Sequence, residues 1–312
     1  MDHAMHHVPL TPLLFTDEAD NASFPPSCSG PLHSPCSVSP TSSREIFQAA
    51  APRAAQSLWH HPFGADVLVH CLGKALRVHR SIVAPQVGWL RDNLPPPNKD
   101  GTAVDAVFPG SDMMFSHSLR FMYTNSIDIC EPDDTRPHDI CYVARSALFY
   151  AFAVDIRSHT IAAYLLATLD SCSERWKGYV DEYFHNGGLS SGDCCMFAFH
   201  MANAFSVAYG HPRSDLIAPL RLALAGLLDV VLPLMVQQPP VIDLLSSSTW
   251  RRYSTAVTRD LDCHRRRRSE LCSLQSQNKT MPRHETMRLV FEKAWDANPW
   301  MPMTWLDKAQ EK

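Results

Sequence analysis

Apolar residues, many of them β-branched, dominate three short runs, 65–71, 75–80 and 103–108. Runs of that length and type, the first opened by the acidic Asp66, predict three short strands. Gly73 and Lys74 fall between the first two runs and predict a tight turn. Residues 50–59 read as a short helix ahead of the first strand, and Ser81-Ile82-Val83-Ala84 opens a helix after the second. Pro85 and Gly88 then interrupt it. Proline fits only a first helical turn and glycine costs about 1 kcal/mol inside a helix, so a kink or restart at Pro85 is expected. Pro95-Pro96-Pro97 and Gly101 make a strong break. Ser111 or Asp112 suits the cap of a helix through Tyr123, and Ile127-Asp128-Ile129 reads as a short edge strand. The acidic, proline-bounded stretch 131–137 reads as a loop. Helices are predicted near 139–152 and 156–169, the second on the spacing of Ile161, Tyr164, Leu165 and Leu169.

The pattern beyond is helical. Asp193 can cap a helix over 194–209, stopped by Gly210-His211-Pro212. Ser214 or Asp215 starts another, Pro239-Pro240 ends it, and further helices are predicted near 247–275 and 284–295. The last has Met287, Val290, Phe291 and Ala294 on one side. The apolar stretch 216–236 invites a membrane reading, but it carries Arg221, Asp229, Pro219 and Pro233. Each charge at a bilayer centre costs about 2.5–3.5 kcal/mol and each apolar residue returns about 0.3–0.6, so the two cancel. The stripe Ile217, Leu220, Leu224, Leu227, Leu228, Val231 and Met235 instead predicts a buried helix, with Asp229 opposite.

Residues 1–50 are rich in serine, proline and histidine without periodicity. Such a segment lacks the apolar area to offset chain entropy and is expected to be disordered. The chain has 312 residues, 45% of them apolar, and a net charge of −4. Neither nucleic acid nor a membrane surface is implied by that balance. Ten cysteines contain no C-x-x-C pair, and Cys194-Cys195 is vicinal. Reduced thiols in an intracellular protein, cytoplasmic or nuclear, are the expectation. The stretch 9–15 is too short and proline-interrupted for a secretory leader.

The run Ala65-Asp66-Val67-Leu68-Val69-His70-Cys71, the turn Gly73-Lys74, the strand Ala75-Leu76-Arg77-Val78-His79-Arg80 and the later Leu119-Arg120-Phe121-Met122-Tyr123-Thr124 stand in one order. That order resembles the BTB/POZ domain. Trp89-Leu90-Arg91-Asp92-Asn93-Leu94 followed by the three prolines further resembles fungal BTB proteins with a helical C-terminal extension. The resemblance implies an α+β fold, a small mixed sheet flanked by helices, over residues 55–172. An all-α extension over 173–312 would follow. It implies a protein–protein interaction module with no cofactor, no metal and no small-molecule substrate. A homodimer and a cullin-3-type ubiquitin ligase scaffold are the partners it suggests, with residues 113–123 and the helix after Pro137 toward the cullin. A self-associating scaffold or nuclear co-regulator is the competing implication. The partner-interface residues it transfers are Asp66, His79, Arg80, Trp89, Phe121 and Tyr123.

Asp66 and Arg80 admit two readings, a polar pocket beside a dimer interface or a pair that orders the fold, with Arg80 a candidate bidentate partner. His79 can bond backbone and pin the strand-to-helix turn. Trp89 suits the local core or a partner contact. Arg265-Arg266-Arg267-Arg268 resembles a nuclear-import patch, yet Asp260, Asp262 and Glu270 lie close and a helix would spread the four around its cylinder. His60-His61 and the set Cys263, His264, Cys272 and His284 match no standard zinc spacing. Trp295, Trp300 and Trp305 either pack back on the helices or form a partner motif. Gly188-Leu189-Ser190-Ser191-Gly192 fits G-x-S-x-G, but Asn186-Gly187 supplies a turn where that motif needs a strand. P-loop, dinucleotide and H-E-x-x-H motifs are absent, so no enzyme is expected. A pocket gathering Ser190, Cys194, His200 and Asp215 would reopen that question.

Overall fold

The computed structural model describes residues 53–71, 73–110, 112–133, 140–186, 191–235 and 239–277. Expectations for 1–50, for the 284–295 helix and for Trp295, Trp300 and Trp305 lie outside them. The described residues all belong to one compact unit.

A helix α1 (Arg53–His60) leads into β1 (Val67–Cys71), and β2 (Lys74–Val78) follows. β1 pairs antiparallel with β2, Val67 opposite Val78 and Cys71 opposite Lys74. Gly73, at φ +83°, supplies the left-handed backbone that turn needs. β3 (Val104–Val107) adds to the other edge of β1 in parallel, Val67 opposite Val104, giving the order β2-β1-β3. Burial alternates along the strands: Val67, Val69, Cys71, Val104 and Ala106 are buried, while Asp105 and Val107 point to solvent.

Two short helices connect β2 to β3, α2 (Arg80–Val83) and α3 (Gly88–Asn93), with a turn over 84–86. The restart expected at Pro85 is therefore present, and it has a packing cause. The amides of Gly88 and Trp89 donate to the carbonyls of Arg157 (3.1 Å) and Ile156 (3.0 Å). A Cβ on Gly88 would meet the Arg157 Cβ at 2.9 Å. Arg157 itself sits at φ +57° and its guanidinium grips Asp92 at 2.7 Å, holding that carboxyl below its usual range.

From residue 112 on, every described element is helical: α4 (Asp112–Thr124), a 3-10 turn (Asp128–Cys130), α5 (Cys141–Asp155), α6 (His159–Asn186), α7 (Ser191–Gly210), α8 (Ala218–Met235), α9 (Pro239–Ser246) and α10 (Ser248–Gln277). Three expectations are corrected. Residues 127–129 are not an edge strand. Asn125 takes φ +54° and the Ser126 hydroxyl lies 2.7 Å from Asp128, which curls the chain and buries Ile127 and Cys130. The helix expected over 156–169 continues to Asn186, through residue 172 without a break. Leu169, Cys172, Trp176 and Val180 extend its buried stripe. Pro239-Pro240 opens α9 rather than only ending α8, since proline is favoured at a first helical position.

Most of the 216–236 stretch becomes α8, which packs on α6 and α10; Leu220, Leu224, Leu227, Leu228 and Val231 are buried, as is Ile217 just before it. Among the described residues no helix is long and apolar enough to cross a membrane.

Candidate functional site

Four of the six singled-out residues meet where β2 passes into α2. The backbone N–H of His79 donates to the Tyr123 hydroxyl (2.8 Å), and the His79 Nδ1 lies 3.1 Å from the same oxygen. His79 Nε2 stands 2.9 Å from the Phe63 carbonyl, which can only accept. A neutral ring therefore carries its proton on Nε2, and the Tyr123 hydroxyl donates to Nδ1 while accepting from the backbone. Burial raises the Tyr123 hydroxyl above its ordinary value, with Asp66 adding to the shift and the His79 bond opposing it. Trp59 of α1 covers the phenol, ring centres 5.6 Å apart.

Asp66 Oδ1 accepts the backbone N–H of Arg80 at 2.8 Å, one of the donors that the start of α2 leaves free. Its Oδ2 is 3.9 Å from the Arg80 Nε, beyond a hydrogen bond. The guanidinium turns instead to the Pro95 carbonyl. The bidentate pair considered from the sequence is thus not formed, because the carboxylate is engaged by backbone and the side chain by the proline loop. Asp66 is also half-exposed rather than buried. The arrangement ties β1, α2 and the loop after α3 together.

Trp89 sits elsewhere. It is half-buried, its ring edge-on to Phe108 at 4.9 Å and to Phe115 at 6.3 Å, and those two stack at 3.8 Å. Phe121 is 2% exposed and lies against Tyr164, and Tyr123 is 1% exposed. Neither offers a side chain to a partner. Leu119, Phe121, Met122 and Tyr123 are all buried because α4 is enclosed on more than one side. The accessible face of α4 carries Met113 (40% exposed), Ser116, His117 and Arg120, the last bound to Asp128 at 2.8 Å. Burial lowers the His117 imidazole below its ordinary value, and Arg120 pushes the same way.

Phe63 was not singled out by the sequence. Its carbonyl is held by His79 while its ring is 89% exposed. No local pattern marked it, since one apolar residue in a turn carries no period.

His60 and His61 are exposed, and among the described residues no three His, Cys, Asp or Glu side chains gather as a metal would require. Arg265 and Arg268 both reach Asp229 of α8, at 2.7 and 3.8 Å, so two cations of the arginine run are already paired. His200 is buried and Asp215 exposed, while Ser190 and the side chain of Cys194 lie outside the described residues. No protein-family model matches the chain, and no curated protein matches it.

Proposed function

We propose that the chain is a BTB/POZ-like protein-interaction module that docks a cullin-3-type ligase scaffold and presents its C-terminal helices to a substrate. The observation carrying this reading is the His79–Tyr123 contact. The two motifs on which the resemblance rests, Val78-His79-Arg80 and Leu119-Arg120-Phe121-Met122-Tyr123-Thr124, are 44 residues apart and interlock through one hydroxyl. The mixed sheet β2-β1-β3 with a broken helix after β2 accords with it. The docking surface is the exposed face of α4, Met113, Ser116, His117 and Arg120, rather than the buried Phe121.

The test is calorimetric titration of the full chain with the N-terminal domain of a cullin-3. Low-micromolar or tighter binding is expected, abolished by Met113→Glu with the far-UV spectrum unchanged. No heat from a folded chain at high micromolar concentration sinks the adaptor reading.

A second reading, self-association, is favoured by Phe63. An aromatic ring in water on a turn pinned by His79 and Asp66 is a preorganised anchor. Light scattering of the full chain would then give a dimer mass that Phe63→Ser halves. A monomer at all concentrations removes this reading.

A further inference from the structure

Helix α10 carries seven arginines and no lysine against three acids, Asp260, Asp262 and Glu270, in a chain of net charge −4. The fold uses part of that charge. Tyr253, Val257, Asp260 and His264 recur every three to four residues and face the neighbouring helices, beside Tyr209, Arg221 and Gly226. Asp260 pairs with Arg221, and Asp229 takes Arg265 and Arg268. The opposite side of α10 is exposed at Arg252, Thr255, Thr258, Arg259, Asp262 and Arg266. Arg252 rests over the Tyr253 ring, and Arg266 reaches back to the Asp262 carbonyl at 3.5 Å. Arg259 is 70% exposed, 3.8 Å from the Asp260 that Arg221 already holds.

Arg252, Arg259 and Arg266 stand two helical turns apart, about 10.5 Å along the axis for each step. Each step falls only about 20° short of two full turns, so the three form one nearly straight ridge. Beside it Ser254, Thr255 and Thr258, with Arg259, Asp262 and Arg266, line an open trough of about 470 Å³. The period selects the partner. A second α-helix repeats its side chains at the same interval, so acids two turns apart meet all three guanidinium groups in register, each able to take a carboxylate in a two-pronged bond. A duplex strand instead sets a phosphate at about every 3.4 Å of its axis and would press one on Asp262. A bilayer surface asks for exposed apolar side chains beside the cations, where α10 has Thr255 and Thr258.

We propose that this ridge receives an acidic α-helix of a partner protein, its Asp or Glu side chains two turns apart against Arg252, Arg259 and Arg266, with smaller side chains over the trough. This rests on the reading in which the C-terminal helices hold a substrate, and it gives that substrate a chemistry. No cullin is involved, so the cullin titration and the test of the ridge can fail separately.

The test is fluorescence anisotropy of the full chain with two alanine-based helical peptides of one composition. One has its glutamates two turns apart, the other has them in a block at its N-terminus. The spaced peptide should bind at least about tenfold tighter. Arg252→Glu and Arg266→Glu, both at exposed positions, should each weaken it about tenfold with the far-UV spectrum unchanged. Arg267→Glu, an equal change of charge at an exposed position off the ridge, should cost less than about twofold. Salt at about 0.5 M should remove most of the binding. Equal affinity for the two peptides, or Arg267→Glu costing as much as Arg252→Glu, reduces the ridge to net charge and overturns the proposal. So does a spaced peptide that stays free at about millimolar concentration, or tighter binding of a DNA duplex or of phosphatidylserine vesicles.

Discussion

The Tyr123 hydroxyl stands 2.8 Å from the backbone nitrogen of His79, and that one oxygen satisfies both the amide and the imidazole of a residue 44 positions away. The site is buried, so water cannot replace what the hydroxyl supplies. Tyr123→Phe keeps the ring packed on Trp59 but orphans a buried N–H and a ring nitrogen. A buried group left unsatisfied costs about 1–3 kcal/mol. Urea denaturation of the variant should show a loss in that range. A change under about 0.5 kcal/mol would mean the contact contributes nothing net.

Gly226 and His264 form a matched pair between α8 and α10. A Cβ on Gly226 would lie 2.8 Å from the His264 Cε1. Alanine favours a helix over glycine by about 1 kcal/mol, yet Gly226→Ala should destabilise, because the ring must move. In a His264→Ala background the same change should instead stabilise. Thermal denaturation of the four chains gives the coupling directly, and additive effects would refute it.

Asp260 is a buried carboxylate between α8 and α10, 3.0 Å from the equally enclosed Arg221 and 3.8 Å from exposed Arg259. Asp260→Leu strands the Arg221 cation and should cost about 3–5 kcal/mol. The double change Arg221→Met with Asp260→Leu should recover most of that, because an apolar pair fills the space without a buried charge. Chemical denaturation distinguishes this from a pair whose loss is simply cumulative.

The same interface should be sensitive to acid. Burial holds the half-buried His264 below its ordinary value of 6.5, Arg268, Arg267 and Arg265 push it further down, and Asp229 opposes them. The unfolded chain therefore binds protons more readily as the pH falls through 6.5. The stability contributed by the neutral ring is complete above that value and is lost as the pH falls through the lower folded one. His117 and His159 are depressed as well, so the informative quantity is a difference. His264→Asn should flatten the fall of stability between about pH 7 and pH 5 relative to the parent chain. Identical slopes would assign the effect to the other histidines.

The strands were legible as short apolar runs, many of their residues β-branched, with Gly73 marking the turn. The break at Pro85 was legible too, but not its cause, since Arg157 lies 69 positions from Gly88 in sequence. The 127–129 segment misled because Ile-Asp-Ile imitates alternation while Asn125 and Ser126 bend the backbone locally. The length of α6 was written in the sequence: Leu169, Cys172, Trp176 and Val180 keep the helical period through a polar stretch. At the candidate site, the motifs that carry the resemblance named Asp66, His79, Arg80, Trp89, Phe121 and Tyr123, of which Asp66, His79, Arg80 and Tyr123 meet. They could not say that Asp66 would be taken by a backbone amide, nor that Phe121 would be enclosed. Both depend on what packs from far along the chain.

The junction between α3 and the end of α5 has a consequence for how the protein opens. Two amides of one helix are anchored on two carbonyls that follow the other, and Gly88 leaves no slack between them. Neither bond can lengthen alone. The sheet with its connecting helices and the bundle built on α5 are therefore expected to open together. The Gly88 and Trp89 amides should exchange with deuterium only when the whole unit unfolds, serving as a built-in gauge of global opening.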